Sequence, residues 1–351
     1  MRGFRRFAVM IVIMLVSAGA ALGDPDTFSI DRDSQVAIPK DLLPPDILAP
    51  GATINVPCEE LGLTWNDLAG TGDDLNALSS GYDSFAGPPV LFFSVGRNTV
   101  GINGNPYLPY ASDVYEEALS GQAAGDVFVT VYGHPGAPIW SAPVGQNMLH
   151  INQSELGLYP TLFATQDYTG AAPIDDLDAL DFTEFDLDGD DEPDVNVYFS
   201  LDNASTSLGS LGATADDILL FVPGAASAVV FADGVTDIGL ALGDDIDALV
   251  LLDLKDRGEV TPFADRAFFS LAPGSPTLVT NGYSAADIFY TNFDGDFVRE
   301  FLASDLGLLE TDDVDALEIQ PGAYVPEPHT LALVGTGALL LIGIIRRKRL
   351  K

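Results

Sequence analysis

Asp312-Asp313-Val314-Asp315-Ala316-Leu317 decides how this chain folds, because the string recurs. Asp244-Asp245-Ile246-Asp247-Ala248-Leu249 and Asp175-Asp176-Leu177-Asp178-Ala179-Leu180 repeat it with one aliphatic exchanged, and Asp73-Asp74-Leu75-Asn76-Ala77-Leu78 is a fourth copy. Three landmarks accompany each copy in a fixed order. An aromatic-serine segment occurs at Phe28-Ser29, Phe93-Ser94, Phe199-Ser200 and Phe269-Ser270. An aspartate followed by an aliphatic residue occurs at Asp46-Ile47, Asp113-Val114, Asp217-Ile218 and Asp287-Ile288. A glycine turn closes each unit at Leu61-Gly62-Leu63, Leu156-Gly157-Leu158, Ile238-Gly239-Leu240 and Leu306-Gly307-Leu308. Four landmarks in four copies define an internal repeat.

The phenylalanines are spaced by 65, 106 and 70 residues. The long spacing puts an insertion in the second unit, between about Glu116 and Asn152, with its own strand-like run Val127 to Tyr132 and a turn Gly133-His134-Pro135-Gly136. Each unit offers three or four runs of strand-forming residues separated by Gly, Pro, Asp and Asn. A unit of this size cannot bury both faces of its strands alone, so neighbouring units must stack. An open stack needs polar terminal caps, and none is visible; a closed ring needs none. The repeat also begins at the aromatic-serine strand and ends with Asp-Ala-Leu, so the last strand can complete the first unit. The predicted fold is therefore all-β, a four-bladed β-propeller spanning residues 24–322, with a β-sandwich pair or a novel β repeat as the alternative.

The repeat loosely resembles hemopexin-like propellers on Asp247-Ala248, Phe268-Phe269-Ser270, Gly307-Leu308 and Asp315-Ala316. In that family an Asp-Ala string starts the inner strand and a Gly-Leu turn precedes the next one. The units here are longer and lack the family's Tyr-Trp element, so the resemblance bears on architecture alone.

The chain is 351 residues long and carries 52 acidic and 15 basic side chains, a net charge of −37. Its ends read as targeting segments. Arg2, Arg5 and Arg6 precede the apolar run Phe7 to Val16 and the small residues Ser17 to Gly23, the pattern of a secretory signal over residues 1–23. An uncleaved membrane anchor is the alternative, disfavoured by the short run. At the other end, Val325-Pro326-Glu327-Pro328 precedes the apolar run Leu331 to Ile345 and then Arg346-Arg347-Lys348-Arg349. The apolar run is the right kind of segment for a short span at 331–345 with its basic end in the cytoplasm.

This tail, residues 325–351, closely resembles the PEP-CTERM sorting signal of Gram-negative bacteria, with His329 a departure where small hydroxyl residues are common. The resemblance implies recognition by an exosortase-type membrane transpeptidase and cleavage near Pro326, Glu327 and Pro328. It also implies delivery to the cell surface or extracellular matrix, often alongside exopolysaccharide. An ordinary tail anchor is the alternative.

Setting aside three basic residues in the leader, and five basic residues and Glu327 in the tail, leaves a body with 51 acids and 7 bases, net −44. Such a body does not hold nucleic acid through its phosphates. It favours divalent cations or a saline habitat. The single cysteine, Cys58, excludes an internal disulfide and reads as a small buried residue.

Asp186-Leu187-Asp188-Gly189-Asp190-Asp191-Glu192-Pro193-Asp194 is the leading ligand candidate. Asp186, Asp188, Asp190 and Asp194 stand at positions 1, 3, 5 and 9, and hard oxygen ligands in a flexible loop suit structural Ca²⁺. The segment resembles the start of an EF-hand or thrombospondin type 3 loop but lacks Gly at position 6, Glu at 12 and flanking helices. Asn292, Asp294, Asp296 and Glu300 repeat the spacing more weakly. An Asp-Gly hairpin turn explains either loop without a metal. The aspartates of the Asp-Ala-Leu strings have two readings: Asx turns at strand starts, or a ring of carbonyls or carboxylates around a central cation.

Catalysis has thin support. His134 and His150 both lie in the insertion, with no serine elbow, zinc spacing or phosphate loop. Trp65 and Trp140 have the chemistry to stack on sugars, and the chemistry to pack a core. The chain is read as no enzyme but as an exported structural or adhesive protein, with exopolysaccharide or another surface protein as partner. The rival class is a secreted carbohydrate-active enzyme, a glycosidase or lyase on a propeller. Polar side chains ringing one mouth favour the rival; backbone groups alone favour the structural role. The insertion is the expected place for a partner site.

Overall fold

The computed structural model describes residues 27–32, 34, 42–66, 71–79, 90–102, 113–131, 147–158, 175–185, 194–253 and 258–319. The segments read as signal and sorting tail, 1–23 and 325–351, lie outside them, as does the span at 331–345 with Pro326, Glu327 and Pro328. Among the described residues no helix is long and apolar enough to cross a membrane. Asp24–Gln320 form one compact unit.

That unit is a four-bladed β-propeller. Blade I holds β1 (Thr27–Ser29), β2 (Ile47–Ala49) and β3 (Thr53–Val56). A small hairpin follows, β4 (Trp65–Asn66) and β5 (Thr71–Gly72). Blade II is β6 (Leu75–Ser79), β7 (Val90–Val95), β8 (Val127–Val131) and β9 (Met148–Ile151), with helix α1 (Asp113–Ser120) between β7 and β8. Blade III is β10 (Leu177–Phe185), β11 (Asp194–Leu201), β12 (Ile218–Phe221) and β13 (Val229–Ala232), and the single-turn helix α2 (Leu208–Leu211) follows β11. Blade IV is β14 (Ile246–Leu252), β15 (Arg266–Leu271), β16 (Ile288–Thr291) and β17 (Phe297–Phe301), with α3 (Pro276–Asn281) and α4 (Ala303–Leu306) after β15 and β17.

The last strand, β18 (Ala316–Glu318), returns to blade I and pairs antiparallel with β1, Leu317 opposite Phe28. Its sheet order is β18-β1-β2-β3. The ring thus closes as the phase of the repeat predicts. Each Asp-Ala-Leu strand is innermost in its blade, and β6, β10, β14 and β18 pack around one axis.

Blades bury both faces, which is why their strands read as apolar runs and not as alternations. Ile218 to Phe221 are all buried. Between blades II and III, Phe92, Val127 and Leu156 pack with Phe182, Phe199 and Leu219. Between III and IV, Tyr198 and Ile218 meet Leu249, Phe269 and Phe289. Between I and II, Ile47, Val56 and Leu61 meet Leu75, Phe93 and Phe128.

The aromatic-serine and glycine landmarks lock blade to blade. Ser29, Ser94, Ser200 and Ser270 donate their hydroxyls to the carbonyls of Leu75, Leu177, Ile246 and Val314, at or just before the start of the next inner strand, at 3.0, 2.9, 2.7 and 2.7 Å. Among the described residues, three of the glycine turns meet the β2–β3-type hairpin of the following blade: Gly157 at Ser227, Gly239 at Gly295 and Gly307 at Gly51. Gly307 holds φ +81°, and a Cβ there would lie 2.7 Å from Gly51 Cα. The N–H groups of Gly51 and Ala52 donate to Leu306 O at 2.9 and 3.0 Å across the same contact.

The second unit needs one correction. Asp113-Val114 opens helix α1 and no strand. The third strand of blade II is β8, and Asp126-Val127 is the true counterpart of the other Asp-aliphatic pairs. Asp46, Asp126, Asp217 and Asp287 all accept an N–H from the turn after the fourth strand: Cys58, Gln153, Gly234 and Ala303, at 2.8, 2.7, 2.9 and 2.9 Å. The extra residues therefore lie on both sides of β8, partly before it around α1 and partly between β8 and β9. An Asp-Val pair at nearly the right offset imitated the landmark, while its hydrogen-bond partner lay beyond the reach of spacing alone.

Candidate metal centre at one end of the ring

The three acidic positions of each Asp-Asp-x-Asp-Ala-Leu string do different work. The first aspartate anchors the strand start. Asp73 accepts N–H groups from Thr64, Val100 and Gly101 at 2.7, 2.6 and 3.0 Å. Asp175 takes Ser207 N and Oγ at 2.8 and 2.6 Å, and Asp244 takes Ala241 N and Thr277 N, each at 2.8 Å. Asp312 accepts Leu309 N at 2.7 Å. The turn-anchoring reading holds at this position.

The second aspartate faces the preceding blade. Its own N–H donates to a hydroxyl six residues after the phenylalanine landmark: Asp74 to Thr99, Asp176 to Ser205, Asp245 to Ser275 and Asp313 to Ser34, at 3.2, 3.0, 3.1 and 3.0 Å. Its carboxylate meets whatever stands four residues after the phenylalanine of the previous blade. Arg32 pairs with Asp74 at 2.7 Å, and Arg97 Nε lies 3.1 Å from Asp176. Asn203 offers its backbone N–H to Asp245 at 3.3 Å. The fourth such residue is Pro273, which has no N–H to give. Asp313 Oδ1 is buried without a hydrogen-bond partner.

The third position lies at a bulge of the inner strand at Asn76, Asp178 and Asp247, and immediately before β18 at Asp315. The register skips Asn76, Asp178 and Asp247, between Leu75 and Ala77, Leu177 and Ala179, and Ile246 and Ala248. A bulge leaves its extra residue out of the ladder and re-aims its side chain. Here the side chains gather. Asn76 Nδ2 reaches Asp176 at 3.2 Å and Asp178 at 3.5 Å.

Asp31 and Asp202, three residues after their phenylalanines, join the same group. Among the described residues this end of the ring thus collects nine carboxylates, those of Asp31, Asp74, Asp176, Asp178, Asp202, Asp245, Asp247, Asp313 and Asp315. Two guanidiniums, Arg32 and Arg97, face them. Burial, reinforced by neighbouring carboxylates, pushes Asp245 up to about 7 and Asp313 to about 8. Asp176 also rises to about 8 by burial, against the pull of Arg97. Asp178, Asp247 and Asp315 are held well above the ordinary carboxylate range for the same reasons, burial first and adjacent aspartates second. Burial and mutual repulsion thus favour the protonated form of these groups in the folded ring.

Three sets of carboxylates bring ligand oxygens within 4.8 Å of one another: Asp31, Asp74 and Asp315; Asp178, Asp202 and Asp245; and Asp247, Asp313 and Asp315. Oxygens on opposite sides of a Ca²⁺ lie about 4.6–5.2 Å apart, twice the usual Ca–O distance. All donors are carboxylate oxygens, which suits a hard cation.

The predicted loop sites fall elsewhere. Asp186, Asp188 and Asp190 lie outside the described residues, and Asp194 is the first residue of β11. Asn292, Asp294 and Asp296 form the β16–β17 hairpin loop, around the buried Phe293 at φ +58°. Asp296 Oδ1 accepts the N–H of Phe297, and burial raises the Glu300 carboxyl. Asp294, Asp296 and Glu300 do not form one of the convergent sets.

Trp65 sits in the β4–β5 hairpin opposite Gly72. Trp140 and His134 lie outside the described residues. His150 is on β9, its ring centroid 4.8 Å from that of Phe92, and burial lowers its pKa. It lines an open cleft between blades II and III with Ser154, Glu155 and Phe221. Cys58 is a buried free thiol pushed up by burial, as a small core residue should be.

Sequence reasoning anticipated a carboxylate ring but missed its partners. The hydroxyl six residues after each phenylalanine and the Arg, Arg, Asn, Pro series at the fourth residue are both visible in the chain, once the copies are aligned on phenylalanine. No protein-family model, curated protein or solved structure matches this chain, so the propeller and its acidic end rest on the geometry of this chain alone.

Proposed function

We propose that this is an exported bacterial surface protein with a structural or adhesive role in a cell-surface or exopolysaccharide matrix, built on a calcium-stabilised propeller. In this reading an exosortase-type transpeptidase sorts it through Pro326, Glu327 and Pro328, and the membrane holds it through 331–345 until it is processed. The observation that carries the calcium part is the set of nine carboxylates facing two guanidiniums at one end of the ring. A cation bound only by the folded ring stabilises it by mass action. The export part rests on the tail and leader motifs.

The rival reading, a carbohydrate-active enzyme, draws on the same polar ring. Asp178, Asp313 and Asp315, however, are more than nine-tenths buried. Carboxyls buried this deeply suit a small ion better than a sugar ring.

The test is thermal unfolding of the purified full-length chain in EDTA and in millimolar calcium, with sedimentation of the chain against exopolysaccharide under both conditions. A midpoint several degrees higher in calcium, with co-sedimentation that EDTA abolishes, supports the reading. An unchanged midpoint removes calcium from it, and hydrolysis or cleavage of the polymer moves the protein to the rival class. Replacing Asp186 and Asp188 by Ala shows whether the β10–β11 loop shares in the calcium response.

A further inference from the structure

The four junctions between blades are equivalent in backbone and unequal in charge. At the first, Arg32 covers Asp74; at the second, Arg97 covers Asp176 and also pairs with Asp202; at the third, Asn203 gives Asp245 an N–H. At the fourth, between blades IV and I, Pro273 gives nothing. There Asp313 is 92 % buried, as its 8 % exposure shows, and its Oδ1 has no hydrogen-bond partner; neither has the buried Oδ2 of Asp247. Oxygens of the two carboxyls lie within 4.8 Å of each other. Two carboxylates settle this close in a buried site around a shared proton or a cation. Asp315, more than nine-tenths buried, completes a set whose oxygens lie within 4.8 Å of one another. Among the described residues none of the three is ion-paired to Lys or Arg.

We infer that a Ca²⁺ ion binds Asp247, Asp313 and Asp315 at this junction, standing where the other junctions place an arginine or a backbone N–H. The inference deepens the calcium reading above and rests on it. The ion joins β14 of blade IV to β18, the strand that closes blade I. It therefore acts as a clasp on ring closure: it fastens the C-terminal strand to the body of the propeller. Of the three carboxylate sets this one has the greatest uncompensated charge, since Arg32 already neutralises Asp74 and Arg97 already neutralises Asp202.

Calcium titration of the full-length chain by calorimetry, wild type against variants, tests this. Asp313→Asn and Asp247→Asn are expected to weaken calcium binding tenfold or more, and Asp202→Asn to leave it within about threefold. Pro273→Arg supplies the arginine found at the first two junctions. It is expected to fold, to unfold at a higher temperature than wild type in EDTA, and to lose most of its response to calcium. Wild-type calcium affinity in Asp313→Asn, or a full calcium response in Pro273→Arg, overturns the clasp and leaves a calcium site elsewhere. Wild type that takes up no calcium overturns both the clasp and the reading beneath it.

Discussion

At the scale of single residues, the recurring serines and glycines are joints between blades. Removing the Ser200 hydroxyl leaves the buried carbonyl of Ile246 short of a donor, 2.7 Å away in the native protein. Ser200→Ala is expected to lower stability by about 1–2 kcal/mol, read from chemical denaturation. A neutral result means that the carbonyl finds water or that the hydroxyl bond contributes nothing net.

Two glycines with similar φ separate strain from crowding. Gly274 has φ +91° and nothing within 4 Å of an added Cβ, whereas Gly307 has φ +81° and Gly51 Cα at 2.7 Å. Gly274→Ala is expected to cost about 1 kcal/mol, the left-handed penalty alone. Gly307→Ala adds a clash with the next blade and is expected to cost at least about 2 kcal/mol more. Equal losses in the two variants would show that the blades slide apart to make room.

At the scale of elements, the inner strands carry both closure and charge. β18 contributes only Ala316 to Glu318, yet it is the inner strand of blade I and buries Leu317 completely against Phe28. A chain ended before Asp312 leaves β1 as an unpaired inner edge and is expected to lose cooperative unfolding, followed by circular dichroism. A chain ended after Gln320 keeps β18 and is expected to unfold in one transition. The element reading also failed once, at blade II. Helix α1 begins at Asp113-Val114, a pair whose local composition matches the strand landmark. What distinguishes Asp126 from Asp113 is its acceptance of the Gln153 N–H, a contact 27 residues away that depends on how the blade folds.

At the scale of the molecule, the acidic end makes stability depend on pH. In the unfolded chain its aspartates titrate near about 3.9. In the folded, metal-free ring Asp245 titrates at about 7, and Asp176 and Asp313 at about 8. The folded state thus binds protons more tightly, so its advantage is complete below about pH 4 and is lost as pH rises through 7 to 8. In EDTA the unfolding midpoint is expected to fall between pH 4 and 8. On the proposed calcium reading, added calcium is expected to flatten or reverse that fall above pH 7. A midpoint in EDTA that rises over the same interval would show that the carboxylates are compensated in the folded ring by other means.

The repeat was legible because it is written in local residues. A serine that locks to the next blade, a glycine that must hold a left-handed turn and an alanine beside the axis each admit few substitutes, so the same letters recur. The phase of the chain even disclosed that its last strand closes its first blade. The chemistry of the acidic end was legible only in part. Sequence shows that aspartates recur, but charge compensation is settled across junctions between blades, by Arg32, Arg97, Asn203 and Pro273 acting on aspartates about 40 to 80 residues away. Sequence by itself therefore determined the number of blades and the phase of closure, since each blade repeats the same local constraints. The tertiary structure alone decided which aspartates anchor turns, which gather around the axis and which one, Asp313, receives neither an arginine nor a backbone N–H from the preceding blade. Those distinctions come from distances between strands that the order of residues does not encode.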